Sequence, residues 1–219
     1  GMVRSSAEAI SEDGAYAVGS AADGGGAEVP VRWTLGPSAV ATVIPLTAGN
    51  TGFAGELIGG TALAVNNAGH VFGVAWGDGT GSLVDVRGWL WDGTTVRALT
   101  PGAPLYDDID PTTDPELIGS INSTDVVVTS RYAGPDQPTP IRLEWNGSAA
   151  VETPLLPDLA AGIDPDPAIA SADHILADGT IAGGYETGGS SFNAYLRAPG
   201  GSVTTLPILP AGNGWSQWL

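Results

Sequence analysis

The feature that most constrains this chain is a unit of about 55 residues that recurs four times. Its clearest copy runs Gly60-Thr61-Ala62-Leu63-Ala64-Val65-Asn66-Asn67-Ala68-Gly69-His70-Val71-Phe72-Gly73, which reads as a strand, a tight turn and a second strand. The other copies are Ala7–Gly19, Ile118–Val128 and Asp173–Gly184. Aligning Ile10, Val65, Ile121 and Ile175 gives spacings of 55, 56 and 54 residues. A period of this size marks propeller blades or repeat arrays, because a single supersecondary unit must stack on its neighbours to bury its apolar faces. A second anchor keeps the same phase: Trp33, Trp91 and Trp145 follow the aligned residues by 23 to 26 positions, with Arg197 standing there in the fourth copy.

Each unit carries four extended segments. In the second copy they are Leu63–Val65, Val71–Trp76, Val86–Trp91 and Thr95–Leu99, separated by Asn67-Ala68-Gly69, by the Gly77–Gly81 loop and by Asp92-Gly93. Asp-Gly suits a type I′ hairpin turn, whose two central residues need positive φ. Asn146-Gly147 and Gly200-Gly201 occupy the same turn in copies three and four, and Pro37-Ser38 replaces it in copy one. Four antiparallel strands at this period describe a propeller blade. The expected fold is therefore all-β: a β-propeller of four blades with four antiparallel strands each, about 16 strands in all. The whole chain 1–219 reads as one repeat domain, with approximate units 5–56, 57–116, 117–168 and 169–212 and a tail at 213–219. Strands covered by neighbouring blades on both faces should be apolar at successive positions, as in Val126-Val127-Val128. Ala9, Ala64 and Ser120 suit innermost strands crowded near the axis. A β-helix would need a shorter period, and a jelly roll would show no repeat.

Composition narrows the partners. The chain has 24 acidic residues against seven arginines and no lysine, a formal net charge of −17. Such a surface repels phosphate backbones and anionic membrane surfaces, which argues against a nucleic-acid partner. No apolar run approaches the roughly 18 residues of a membrane-spanning helix, so no membrane insertion is expected. Thirty-three glycines and 17 prolines oppose long helices. The absence of cysteine removes disulfides, thiolate metal sites and cysteine nucleophiles together.

At these residues the sequence resembles the extracellular HAF-type repeat family, whose units carry a Gly-x-Ala-x-x-Ile-Asn-x-x-Gly-x-Val-x-Gly stretch and then a His-Ala-Phe-Leu-Trp-like strand. Gly60–Gly73 matches the first stretch. Arg87-Gly88-Trp89-Leu90-Trp91 and Asn193-Ala194-Tyr195-Leu196-Arg197 look like the second, with Val29–Trp33 and Ile141–Trp145 as looser matches. The namesake histidine is absent from all four copies. The resemblance implies a propeller-like fold and an extracellular or cell-surface setting in a secreted bacterial protein, with the leader absent from this sequence. It transfers no catalytic residue and no ligand.

The repeated tryptophans are expected in the core between blades. Trp76 and Trp89 do not recur, and with Tyr106 they are the candidates for stacking on a ligand. The acidic residues gather in the connections between units. Asp107, Asp108, Asp110 and Asp114 lie within one such connection and could supply several of the six to eight oxygens that calcium takes, although the spacing is not that of an EF-hand. Calcium is the one cofactor these residues point to. No Gly-x-Ser-x-Gly elbow or His-Glu-x-x-His motif occurs. His70 and His174 are too few for a histidine metal site. Two function classes follow. The first, favoured because the repeat accounts for nearly every distinctive residue, is a non-catalytic binding module for a protein or carbohydrate ligand. The second is a glycan-active hydrolase or lyase using loop carboxylates. A central pocket holding two facing carboxylates at non-equivalent repeat positions would favour the second.

Overall fold

One hairpin opens every unit. The aligned apolar residue ends the first strand and faces the start of the second: Ile10 pairs with Ala17, Val65 with Val71, Ile121 with Val127 and Ile175 with Ile181. The next N–H closes the turn, from Ser11 to Tyr16 O, Asn66 to His70 O, Asn122 to Val126 O and Leu176 to Thr180 O. One residue in each turn is left-handed, Gly14, Gly69, Asp125 and Gly179, at φ 70°, 77°, 63° and 86°. Glycine adopts this conformation freely, whereas a side chain makes it costly. Asp125 is the one non-glycine with positive φ among the described residues. Asn66 and Asn122 brace their turns by accepting from the backbone N–H groups two and four residues on.

The computed structural model describes residues 4–22, 25–26, 28–78, 84–109, 118–132, 138–156, 169–187 and 191–206, with the backbone alone at 78, 107–109, 169, 187 and 191–192. Blade 1 is β1 (Arg4–Ile10), β2 (Tyr16–Ala22), β3 (Glu28–Thr34) and β4 (Val40–Val43), hydrogen-bonded in that order. One helical turn, α1 (Ala48–Thr51), leads to blade 2 and is capped by Thr47. Blade 2 is β5 (Leu57–Val65), β6 (Val71–Asp78), β7 (Val84–Trp91) and β8 (Val96–Ala98). β9 (Tyr106–Ile109) continues the edge begun by β8, pairing with the first half of β7. Blade 3 is β10 (Gly119–Ile121), β11 (Val127–Tyr132), β12 (Pro138–Trp145) and β13 (Ala150–Pro154). Blade 4 has its innermost strand in two pieces, β14 (Ile169–Ala170) and β15 (His174–Ile175), followed by β16 (Ile181–Thr187), β17 (Ser191–Arg197) and β18 (Val203–Thr205).

The result is an all-β propeller arrangement of four antiparallel four-stranded sheets. Eighteen strands stand among the described residues where about 16 were expected. The difference comes from breaks within strands. Pro101 and Pro104 lie in the gap between β8 and β9, where proline cannot donate to a ladder. β14 and β15 are parted by residues 171–173, one more than the facing stretch of β16 holds. β9 also makes one parallel contact with β11, at Tyr106 and Tyr132, whose rings stack at 4.3 Å, and so joins blades 2 and 3 into one hydrogen-bonded sheet.

The glycine that closes the repeat motif has a steric cause. The innermost strand carries an irregularity at Ala7/Ala9 in blade 1 and at Ala62/Ala64 in blade 2. Blade 4 fits one extra residue between the Ala170–Tyr185 and His174–Ala182 pairs. These bulges push a carbonyl onto the second strand. A Cβ on Gly19, Gly73 or Gly183 would lie 2.1 Å from Ser6 O, 2.3 Å from Thr61 O or 2.1 Å from Ser171 O. Blade 3 has a regular first strand and Thr129 at this position, and its hydroxyl donates to Ile118 O at 2.7 Å. The motif is thus a bulge and a glycine together, or neither.

Each middle blade buries both faces. Val71, Trp89 and Trp91 enter the core shared with blade 1, while Phe72 and Leu90 enter the core shared with blade 3. In blade 3, Val127 joins the blade 2 core, and Val126 and Val128 join Ile175 and Ile181 of blade 4. Trp91 is buried under Arg32, whose guanidinium lies 4.5 Å from its ring and 5.0 Å from that of Tyr16. Trp145 does not share its position. By strand register, Trp33, Trp91, Leu143 and Arg197 are equivalent, since each faces the residue opposite the aligned apolar one. The outer hairpin of blade 3 is two residues longer, which keeps Trp145 on the same face but carries it toward the rim. There it is half-buried with Arg97 over its ring, not enclosed between blades as expected.

Candidate functional site: the axial pocket

The innermost strands are thin where they meet. Ala9, Ala64 and Ser120 keep side-chain bulk away from the axis, and a cavity of about 440 Å³ opens between the four blades. All four contribute to it, through Glu8–Ile10, Leu63–Val65, Ile118–Ile121 and Asp173–His174. Polar and apolar surface are nearly balanced along the walls. The polar side chains are Glu8 and Asp173, with Ser120 and His174. Ser120 Oγ accepts from the Ile175 N–H at 3.3 Å, tying blade 3 to blade 4 beside the cavity. His174 and Glu8 are exposed.

The two carboxylates hold the same place in the repeat. Glu8, Leu63, Gly119 and Asp173 each stand two residues before the aligned apolar position. Asp173 also faces Tyr195. Burial, and then the Asp173 charge, push the Tyr195 phenol above its ordinary value of 10.0, and Arg197 pulls it partly back. The Tyr195 hydroxyl donates to Ser171 O at 2.7 Å.

At the turn end of the blades a second polar cluster joins blades 2 and 3. Asp125 accepts from Asn66 Nδ2 at 2.9 Å, and His70 Nδ1 lies 2.8 and 2.9 Å from its two carboxylate oxygens. Asn66 Nδ2 also donates to Asn122 O. The non-glycine φ at Asp125 is therefore held by a contact across the blade boundary. Between blades 1 and 2 the same end is closed by Arg32 Nη1 donating to Gly69 O at 2.8 Å and by the Asp13 N–H donating to Asn67 Oδ1. His70 is a blade clamp, a role that only its distance to Asp125 discloses.

Of the aromatic residues considered for ligand stacking, Trp89 is fully buried between blades 1 and 2, and Tyr106 is buried against Tyr132. Neither has a ring face open to a ligand, because adjacent blades close over both. Trp76 is half-buried against the core between blades 2 and 3. The connection holding the aspartates is not wholly a loop, since Asp107 and Asp108 lie in β9. Their side chains, and Asp110 and Asp114 altogether, lie outside the described residues, as does the tail 213–219. Among the described residues no three His, Asp or Glu side chains are grouped so as to hold a metal ion. Among them, too, no helix is long and apolar enough to cross a membrane.

Fold and pocket together define the class: a propeller-type all-β protein whose blades meet at an open axial cavity. No protein-family model and no curated protein matches the chain, so the likeness to HAF-type repeats rests on the quoted motifs. Among solved structures the chain is similar to TolB from Acinetobacter baumannii, with 12% identity and a TM-score of 0.49 over 94% of this chain and 43% of that one. The chain spans less than half the length of that structure.

Proposed function

We propose that the protein is a non-catalytic binding module, secreted or displayed at the cell surface, that takes a protein or glycan ligand at its axial pocket. The observation that carries this reading is the repeat equivalence of Glu8 and Asp173. Two carboxylates that recur at the same strand position of blades 1 and 4 are accounted for by the repeat itself, and they give the cavity a charged rim. A cavity of about 440 Å³ is of the size that holds a small ligand or the tip of a larger one. Each of the seven arginines is engaged within the chain, so the charge left at the surface is negative. The ligand is accordingly neutral or cationic.

The test is a screen of the folded protein against neutral and amino-sugar glycans and against lysine-rich peptides. A binder should weaken at least about tenfold, roughly 1.4 kcal/mol, in the Glu8→Gln/Asp173→Asn double variant with melting unchanged. Turnover of a bound glycan that the same changes abolish would instead establish the hydrolase or lyase reading.

A further inference from the structure

The outer hairpins of blades 2 and 3 close on the same turn. Asp92 and Asn146 each follow the tryptophan that ends the third strand. Each precedes a glycine in the left-handed region, Gly93 at φ 93° and Gly147 at φ 96°. In both turns the side-chain Oδ1 accepts three hydrogen bonds. At Asp92 they come from the Thr94 N–H at 2.9 Å, the Thr94 hydroxyl at 2.7 Å and the Thr95 N–H at 2.8 Å. At Asn146 they come from the Ser148 N–H at 3.0 Å, the Ser148 hydroxyl at 3.0 Å and the Ala149 N–H at 2.9 Å. The cage of donors is the same, and the group inside it is a carboxylate in blade 2 and a carboxamide in blade 3.

That carboxamide is open to attack from its own chain. Three donors converge on Oδ1, so they draw electrons from Cγ and face the atom on which negative charge would develop. The nearest nucleophile is the Gly147 nitrogen. Among the described residues neither the Gly147 N–H nor Asn146 Nδ2 has a hydrogen-bond partner. No side chain shields the Gly147 nitrogen, a Cβ there would meet nothing within 4 Å, and residues 146–149 are all exposed. Two other asparagines accept similar bonds without these openings. Asn122 takes the Thr124 N–H and hydroxyl and the Val126 N–H, but it is 6% exposed and Ser123 follows it. Asn66 is 5% exposed, and its Nδ2 is held by Asn122 O and Asp125.

We infer that Asn146 is a self-modifying residue, deamidating through a cyclic imide formed with the Gly147 nitrogen. Hydroxide takes the Gly147 amide proton, and the nitrogen bonds to Asn146 Cγ. The Cγ–Nδ2 bond breaks, and Nδ2 takes a proton from water and leaves as ammonia. Holding nucleophile and carbonyl in one chain replaces a bimolecular encounter. Water then opens the imide. Attack at Cγ leaves aspartate, and attack at the Asn146 main-chain carbonyl leaves isoaspartate, with the chain routed through Cβ. One carboxamide and one water become one carboxylate and one ammonium, with nothing oxidised or reduced. The net charge of the chain moves from −17 to −18. The aspartate product keeps all three hydrogen bonds, since Asp92 already occupies the same cage. The isoaspartate product adds a main-chain atom to the turn and draws the Ser148 and Ala149 N–H groups away from the carboxylate, so it loosens the outer hairpin of blade 3.

The test keeps the folded full chain in mildly alkaline buffer for several days and follows it by peptide mapping with mass spectrometry. Asn213, the other asparagine followed by glycine, lies outside the described residues and is changed first, as Asn213→Gln, so that a charge shift reports on position 146 alone. Aspartyl and isoaspartyl products should accumulate at 146, with one added negative charge on isoelectric focusing, while Asn66 and Asn122 stay intact. Ser148→Ala removes the hydroxyl donor and keeps both N–H donors. It should slow conversion several-fold in the folded chain, because one of the three groups facing Oδ1 is gone. In urea, where the cage is lost, the two chains should convert at the same rate. Asn146→Asp should melt as the unmodified chain does. An Asn146 that stays intact in the folded chain overturns the inference, and so does conversion of Asn122 at an equal rate. A Ser148→Ala chain that converts as fast as its parent when folded, or more slowly even in urea, removes the cage from the explanation and overturns it as well.

Discussion

Blade 2 and blade 4 share one strand plan and differ in their neighbours. In blade 2 adjacent residues enter different cores: Val71 and Trp91 toward blade 1, Phe72 and Leu90 toward blade 3, all of them buried. In blade 4, Ile181 is fully buried toward blade 3, but Ala182 and Leu196 on the other side are only half-buried. The same repeat position thus carries a different energetic weight according to its place in the array. Stability in such proteins is close to a sum of unit terms and nearest-neighbour interface terms. A blade with two neighbours collects two interface terms, and a terminal blade collects one.

The largest effect should fall on an enclosed ring of blade 2. Trp91→Ala is expected to cost about 3 to 5 kcal/mol in denaturant unfolding, as for other buried aromatics, and it also removes the ring beneath Arg32. Trp145→Ala, at the half-buried rim of blade 3, should cost about 1 to 2 kcal/mol. Equal losses would mean that the two-residue shift in register does not separate the two sites energetically.

A smaller effect is common to the bulged blades. Gly73→Ala places a Cβ 2.2 Å from the Trp89 ring, which is clamped between two blades, and should cost about 3 kcal/mol. Gly183→Ala meets the Ser171 carbonyl at 2.1 Å beside the fully buried Tyr195, on the face that blade 4 turns to blade 3, so a similar cost of about 3 kcal/mol is expected. Shifts in the urea midpoint at constant slope measure both. A much smaller loss at Gly183 would show that the bulge carbonyl yields more easily in a blade whose other face is open.

The smallest effect is a pH dependence. In the outer hairpin of blade 2, burial raises the Asp92 pKa, but the N–H groups of Thr95 and Thr94, the Thr94 hydroxyl and Arg97 outweigh it and hold the carboxyl well below its ordinary 3.8. Asp178, in the inner turn of blade 4, is also lowered, by the N–H and hydroxyl of Thr180, while fully exposed. A depressed carboxylate adds stability that is complete above its unfolded pKa of about 3.9 and is lost as pH falls toward its folded one. Asp92→Asn should therefore cost about 1 kcal/mol at pH 7 and flatten the fall in melting temperature below pH 4. Asp178→Asn should flatten it less. If both variants trace the wild-type acid limb, the turn hydrogen bonds are too well matched by water to matter.

Sequence alone determined the fold class and its phase. The spacing of Ile10, Val65, Ile121 and Ile175, with turn residues between alternating apolar segments, leaves one hairpin geometry for all four units, and those residues do occupy equivalent pairs. That information is local: strand propensity, turn chemistry and a short pairing distance suffice. The site was far less legible. Glu8 and Asp173 stand 165 positions apart, and nothing in their immediate surroundings marks them as lining one cavity. Asp125 follows an ordinary Asn-Ser-Thr, and its contact with His70 belongs to the packing of blade 3 on blade 2. The tryptophan positions misled for a related reason. A count of residues from Ile121 to Trp145 includes a hairpin extension that only pairing across the sheet can reveal. Which apolar residues were buried, and which were left open as Ile10 and Leu176 are, was decided only in three dimensions. Burial depends on having a neighbouring blade, and each residue's own sequence is the same whether that neighbour is present or not.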